Sequence, residues 1–205
     1  MQWIRRLGPA LALAAWTGAG NCDAKGIDLS LEAVYADPLG RFEFEGLGIG
    51  ADSLVSKGAG VLGSLTWRLG EQWGLGAGFG YYKAHGADLF NLVGAEANLE
   101  VMPFHALVQF RTARKGPALL LEAGLGYTRG VLDANGVVFG SIDLDTLDGS
   151  GGSVSALGGA NFAYGVSNSW TLRAGLKYHR TFTENISDNS VKFLLFTVGA
   201  SYGTH

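Results

Sequence analysis

The feature that most constrains this chain is a strict alternation of apolar residues with small or polar ones. From Ile27 onward the alternation recurs in segments of about ten residues, which turn-rich stretches separate. A period of two places successive side chains on opposite faces of an extended strand, whereas a helix would give a period near 3.6. The sequence therefore predicts an all-β fold.

Eight alternating segments can be distinguished. Four of them reach a tyrosine, and three share the pattern Leu-x-Ala-Gly-(Phe/Leu)-x-Tyr. The predicted strands are 27–35, 59–69, 73–81, 101–111, 119–127, 154–164, 170–178 and 193–202.

The connections between these segments come in two sizes that alternate along the chain. The short ones are 70–72, 112–117 and 165–169, and the long ones are 36–57, 85–100, 130–152 and 184–192. This alternation is typical of bacterial outer-membrane barrels, whose short turns face the periplasm and whose long loops face outward. We therefore predict an eight-stranded antiparallel transmembrane β-barrel with both termini on the periplasmic side.

Aromatic residues lie at both ends of the face predicted to meet lipid. Such rings are enriched at membrane interfaces, because an apolar body and a polar tip suit that boundary. The predicted girdles consist of Trp67, Trp73, Trp170 and Tyr202 near the short turns, and Tyr35, Tyr81, Tyr127 and Tyr178 near the long loops, with Phe193 as a further candidate. A soluble β-sandwich or lipocalin-like barrel would instead turn its large apolar residues inward.

The opposite face carries polar and charged residues and is predicted to line the lumen. These residues are Glu32, Arg68, Gln109, Arg111, Glu122, Asn161, Arg173, Lys177 and His179. An isolated charge in so narrow an interior is costly. We therefore expect Arg68, Arg173 and Lys177 to pair with Glu32 and Glu122.

The first two dozen residues have the pattern of a secretory signal. Arg5 and Arg6 precede an apolar stretch, 7–16, and small residues follow. We predict a signal peptide over 1–24, cleaved after Ala24, and a barrel domain over 25–205. Acylation of Cys22 is an alternative that Asn21 disfavours. Cleavage would leave no cysteine, and so no disulfide or thiol chemistry.

One stretch resembles a known family. Residues 102–128, MPFHALVQFRTARKGPALLLEAGLGYT, resemble the OmpW family of small outer-membrane barrels, with Pro103, Gly124, Gly126 and Tyr127 at matching positions. The same features are similar to the broader OmpA-like group. Such barrels usually end on an aromatic residue, whereas here Tyr202 is followed by three further residues. The OmpW resemblance implies a narrow conduit for small apolar solutes.

Two functions are considered from the residues. The preferred hypothesis is a narrow conduit or binding site for small hydrophobic solutes, with Phe42, Phe44 and Phe139 forming an apolar site at the extracellular mouth. The alternative is a structural or adhesive surface protein with a plugged lumen. Eight strands leave room for side chains or one small ligand, but not for an open pore.

A lipid-modifying enzyme is a third, disfavoured hypothesis. It would need His179 beside a serine and an acid, for which Ser187 and Glu184 are the nearby residues, but Thr181 occupies the position where deacylase barrels carry their serine. We expect no catalytic residues, metal or cofactor. The expected partners are outer-membrane lipid, lipopolysaccharide and the barrel-insertion machinery. A net charge of -3 argues against nucleic acid.

Overall fold

The computed structural model describes residues 26–39, 55–86, 96–113, 116–135, 137–138, 142–143, 149–182 and 191–203. All regular elements in these ranges are β-strands. They are β1 Ile27–Pro38, β2 Val55–Arg68, β3 Trp73–Gly86, β4 Glu96–Arg111, β5 Pro117–Asn135, β6 Val137–Val138, β7 Ile142–Asp143, β8 Gly149–Gly165, β9 Trp170–Thr181 and β10 Lys192–Gly203. None of the described segments is a helix long and apolar enough to cross a membrane.

Eight strands close into an antiparallel barrel in the order β1, β10, β9, β8, β5, β4, β3, β2, and β6 pairs separately with β7. Strands β1 and β10 close the sheet along a continuous register from Asp28 opposite Gly203 to Pro38 opposite Phe193. Closure satisfies every strand edge, which a lipid environment requires. The predicted fold class is confirmed.

The strands extend further on the long-loop side than the sequence predicted. β4 already begins at Glu96, opposite Asn135 of β5, and β8 begins at Gly149. The prediction stopped short because alternation is imposed where one face meets lipid. Beyond that layer both faces can meet water, so the backbone ladder continues without a clear period of two.

The tyrosine face points outward. All eight residues of the predicted girdles are exposed, from 39% for Tyr81 and Tyr178 to 54% for Trp73. Rings on neighbouring strands touch there: Trp73 lies 4.9 Å from Phe110, and Trp170 lies 5.2 Å from Tyr202, between ring centroids.

The assignment of Phe193 to the outer girdle is wrong. Phe193 is fully buried inside the barrel, with its ring 5.2 Å from that of Tyr82. Successive side chains of a strand point to opposite faces, and Tyr202 of the same strand points outward. Phe193 is an odd number of positions from Tyr202, so its side chain must point inward. Phe196 is exposed instead and lies edge-on to Tyr35 at 6.1 Å.

Candidate functional site

The centre of the barrel interior holds a cluster of four buried charges, here called the central cluster: Glu32 on β1, Glu122 on β5, and Arg173 and Lys177 on β9. Each of these residues is at most 5% exposed. Lys177 Nζ lies 2.8 Å from Glu32 Oε2 and 2.6 Å from Glu122 Oε2. Arg173 pairs with Glu122 through Nη2 and approaches Glu32 through Nε at 3.4 Å. Two positive and two negative charges therefore balance.

Neutral side chains complete the shell of Glu122. Gln109 Nε2 donates to Oε1 at 2.7 Å, and Asn161 Nδ2 donates to Oε2 at 3.0 Å. Thr197 Oγ1 in turn donates to Asn161 Oδ1 at 3.1 Å. The Glu122 carboxylate is thus held by charged and neutral donors from β4, β8 and β9, which is how a charge is tolerated in a dry interior.

A glycine on β8 makes room for the central cluster. Gly159 lies opposite Lys177 in the β8–β9 ladder, and a Cβ there would come within 2.6 Å of Lys177 Cγ. It would also lie 2.7 Å from the carbonyl oxygen of Leu176, so both the lysine stem and the β9 backbone would have to shift. The inward glycine therefore gives the long side chain the space in which it reaches both carboxylates.

Arg68 is not part of the central cluster, contrary to the prediction. Its Nε lies 2.7 Å from Asp28 Oδ2 at the periplasmic end of the lumen. The β1–β2 register explains this, because Glu32 lies opposite Leu62, far along β2 from Arg68, whereas Asp28 lies opposite Thr66. Arg111 lines the same periplasmic cavity as Arg68 and Asp28.

Toward the extracellular end lies a chain of polar side chains that the sequence reasoning missed, apart from His179. Tyr82 Oη contacts His179 Nδ1 at 2.6 Å, and His179 Nε2 contacts Thr128 Oγ1 at 2.9 Å. Thr128 donates to Ser155 Oγ at 2.8 Å, and Ser155 contacts His105 Nε2 at 3.0 Å. Inward parity on β3, β4, β5 and β8 was the available signal for these residues.

With a neutral His179, all hydrogen bonds of this network can be donated in the same direction, from Tyr82 toward Ser155. Tyr82 donates to Nδ1, the Nε2 hydrogen is donated to Thr128, and Thr128 donates to Ser155. Histidine and serine are both present, as acyl hydrolysis needs, but Ser155 is completely buried and already accepts from Thr128. The arrangement is that of a satisfied interior network.

Buried apolar side chains pack beside this network and extend toward the long-loop ends of the strands. Phe193 lies opposite His179 and Leu195 opposite Lys177 in the β9–β10 ladder, so these two residues lie at the depth of the polar side chains. Further buried apolar residues are Val34, Ala36, Ala84, Leu99 and Val101. A cavity of about 20 Å³ lies lower down, beside Ser64 and His105. Room of that size suits about one water molecule.

All nine lumen residues predicted from the sequence lie on the inward side of their strands, and Arg111 and Arg68 are the ones nearest the periplasm. Phe42, Phe44, Phe139, Glu184 and Ser187 lie outside the described residues. Within the part of the chain that the structure describes, no three His, Cys, Asp or Glu side chains gather as metal ligands would.

Comparison with known proteins gives a family and a fold. The model of the outer membrane protein beta-barrel domain family matches residues 9–203. No curated protein sequence matches the chain.

Solved structures of three outer-membrane proteins are similar. OprG from Pseudomonas aeruginosa is 12% identical with a TM-score of 0.57, covering 89% of this chain and 97% of its own. Neisserial surface protein A is 17% identical with a TM-score of 0.54, covering 86% and 96%. Ail of Yersinia pestis, in complex with the heparin analogue sucrose octasulfate, is 16% identical with a TM-score of 0.50, covering 86% and 98%.

At these identities the likeness concerns the fold alone. The family match covers nearly all of the chain, and it agrees with the closed eight-stranded barrel, the aromatic girdles and the polar interior. The chain therefore belongs to the outer membrane protein beta-barrel domain family and is a small eight-stranded barrel of the bacterial outer membrane.

Proposed function

We propose that this protein is a closed barrel that works at the cell surface through its long extracellular connections. This is the second of the two hypotheses drawn from the sequence. The observation that carries it is the filled interior, which the central cluster, the polar network and the buried apolar side chains occupy together. A barrel filled in this way anchors loops well and conducts poorly.

The energetics of the central cluster favour a closed state. Opening a path past Glu32 and Glu122 would separate buried ion pairs, and removing one partner of such a pair typically costs about 3–5 kcal/mol. A small apolar solute brings no charge to compensate that loss. It would therefore have to leave the barrel before it reached this depth.

The extracellular connections are the natural place for binding. Strands β1 and β2, β3 and β4, β5 and β8, and β9 and β10 are joined by the chain at their ends away from the short turns. Residues 40–54, 87–95, 144–148 and 183–190 of these connections lie outside the described residues. Loops on a rigid scaffold commonly carry binding functions. Two of the proteins that share this fold carry names that refer to attachment or to the cell surface, namely Ail and neisserial surface protein A. Their names support a role at the cell surface.

The test combines conductance with a loop exchange. The purified protein, reconstituted in planar bilayers, is expected to give no steady conductance. Bacteria that carry a variant with residues 41–51 replaced by glycine and serine are expected to lose cell adhesion or serum survival while the barrel still folds, as heat-modifiable migration on gels would show. A steady conductance, or unchanged adhesion and survival after exchange of each long loop, would contradict the proposal.

The buried apolar side chains toward the extracellular end, such as Ala84, Leu99 and Val101, favour a second candidate function. It is the conduit or binding site for apolar solutes that the OmpW resemblance implies. An apolar solute would bind against buried residues such as Leu99 and Val101 toward the long-loop ends, and leave sideways into the membrane. Phe42, Phe44 and Phe139, which lie outside the described residues, are the loop residues proposed for its entry. Uptake of a hydrophobic tracer by cells with and without the protein tests it. Uptake that depends on the protein, and that falls when the three phenylalanines are replaced by serine, would support the conduit.

The same proposal includes secretion and excludes catalysis. A signal peptide over 1–24 would be removed, the insertion machinery would read the closing strand with Tyr202, and the barrel would then contact lipid and lipopolysaccharide. Mass spectrometry of the purified protein is expected to find a chain beginning at Lys25. Release of fatty acid from lipopolysaccharide, abolished by His179→Ala, would show instead that the protein is an enzyme.

A further inference from the structure

A second polar site lies at the periplasmic end of the lumen, apart from the extracellular loops and below the central cluster. It is a cavity of about 30 Å³ lined by Asp28, Thr66, Arg68, Gln109, Arg111 and Thr171. Its mouth lies beside residues 70–72, the short turn between β2 and β3. The periplasm is therefore the compartment from which it can be reached.

The buried part of this cavity carries an excess of positive charge. Asp28 neutralises Arg68 at 2.7 Å, and the charge of Arg173, which reaches the cavity from above, is taken up by Glu122 and Glu32. Arg111 has no such carboxylate: its Nε is buried and makes no hydrogen bond to any described residue. Glu71 also lines the cavity, but it is exposed to solvent at the rim, whereas Asp28 is the carboxylate of the buried part beside Arg68 and Arg111.

A buried hydroxyl points to the same conclusion. Thr66 is only 1% exposed, yet its Oγ1 has no hydrogen-bond partner among the described residues. Leaving a buried hydroxyl unpaired costs about 1–3 kcal/mol, so native proteins seldom do so without reason. Both groups line the same cavity, so a ligand with oxygen atoms there would supply the kind of partner that each of them lacks.

We propose that this cavity is a binding site for a small oxyanion, specifically a carboxylate group, that enters from the periplasm. A planar carboxylate matches the fork of a guanidinium and can accept from a hydroxyl at the same time. The cavity has room for a small group at its inner end, beside Thr66 and Arg111, and opens toward the short turn. The group is either a free small carboxylate or the acidic end of a periplasmic peptide, since both present the same chemistry.

Formate is the probe for the free group. It is titrated into the folded full barrel in detergent micelles, with chloride replaced so that ionic strength stays constant, and amide shifts of Thr66 and Arg111 are followed by NMR. Saturable shifts are expected. Arg111→Gln should weaken binding at least about tenfold, because a charge-assisted contact is lost. Thr66→Val should weaken it by about fivefold.

Lys83→Gln is the matched control, since it removes one positive charge at the other end of the barrel, where Lys83 pairs with Glu100. The affinity of the Lys83→Gln variant for formate should stay within about twofold of that of the unsubstituted protein. If Arg111→Gln does not fold, Arg111→Lys takes its place in the test. This variant keeps the positive charge but loses the paired N–H donors of the guanidinium, so it too should bind formate more weakly.

A short peptide ending in glutamate separates the two sources. Binding of formate but not of the peptide assigns a free carboxylate, whereas tighter binding of the peptide than of formate assigns a peptide. Absence of saturation, equal shifts with chloride alone, or unchanged affinity in Arg111→Gln and Thr66→Val would each overturn the site. None of these outcomes depends on adhesion or conductance, so the site and the proposed surface function fail separately.

Discussion

At the scale of single residues, the interior depends on charges that are stable only as a set. Glu122 contacts Arg173, Lys177, Gln109 and Asn161, whereas Glu32 pairs with the two cations and accepts from no neutral side chain among the described residues. Burying any of these ions alone would cost several kcal/mol, and the loss is offset only when every partner is present. Glu122 is therefore the residue on which the cluster depends most.

Glu122→Gln should lower the free energy of unfolding by about 3–5 kcal/mol, because Arg173 and Lys177 would be left with one carboxylate between them. Urea titration of the protein in lipid vesicles, followed by tryptophan fluorescence, measures the change. The additional replacement Lys177→Met should recover part of the loss, since it removes the surplus charge.

Glu100→Gln is the matched control for this prediction. It also removes one carboxylate from an ion pair, but Lys83 and Glu100 lie 3.5 Å apart with their side chains 34% and 29% exposed. Such pairs contribute about 0–1 kcal/mol. If Glu122→Gln cost no more than Glu100→Gln, the central cluster would not hold the barrel interior together.

Which residues face inward could be read from the sequence, but which of them pair could not. Period two alone places Glu32, Glu122, Arg173 and Lys177 inside. The partner of Arg68 depends on depth along two strands, and depth follows from the register of Asp28 opposite Thr66, which alternation does not encode. The polar chain that starts at Tyr82 and ends at His105 likewise joins side chains from five strands, which are far apart in sequence.

At the scale of elements, the membrane decides how much of a strand the sequence reveals. Between the girdles one face meets lipid, so alternation is enforced and the predicted strands 73–81 and 119–127 lie inside β3 and β5. Past the outer girdle β5 continues to Asn135, which pairs with Glu96 of β4. The sequence therefore predicted the number and order of the barrel strands, but not where the strands end on the side of the long loops.

Leu176→Arg tests which face of β9 meets lipid. Leu176 is 46% exposed and lies between Trp170 and Tyr178, the girdle residues of this strand. An arginine near mid-depth on the lipid face costs about 2–4 kcal/mol, whereas near an interface the cost is about 0–1 kcal/mol. Unfolding in urea from lipid vesicles gives the difference.

Val166→Arg is the control for depth. Val166 is 53% exposed, about as much as Leu176, but it lies in the short turn between β8 and β9. This variant should lose less than about 1 kcal/mol of unfolding free energy. Equal losses at the two positions would mean that the outward face of the barrel does not contact lipid as described.

At the scale of the whole molecule, the even strand number determines which end of the barrel faces which compartment. Strand β1 begins and β10 ends on the same side, and the short turns around Gly70, Gly116 and Asn168 lie there too. Gly70 and Gly116 have positive φ angles of 148° and 73°, as tight turns often require. In outer-membrane barrels this side faces the periplasm, which leaves the long connections outside.

Single cysteines test the orientation of the barrel and the processing of the chain together. The only cysteine is Cys22, so cleavage after Ala24 would leave a thiol-free protein that a maleimide cannot label. Lys57→Cys, exposed at the long-loop end of β2, should then react with a membrane-impermeant maleimide on intact cells. Asn168→Cys, exposed in a short turn, should react only after the outer membrane is permeabilised. Labelling of Asn168→Cys but not of Lys57→Cys on intact cells would show that the barrel has the opposite orientation in the membrane. Labelling of the protein without either substitution would show that Cys22, and with it the segment 1–24, is retained.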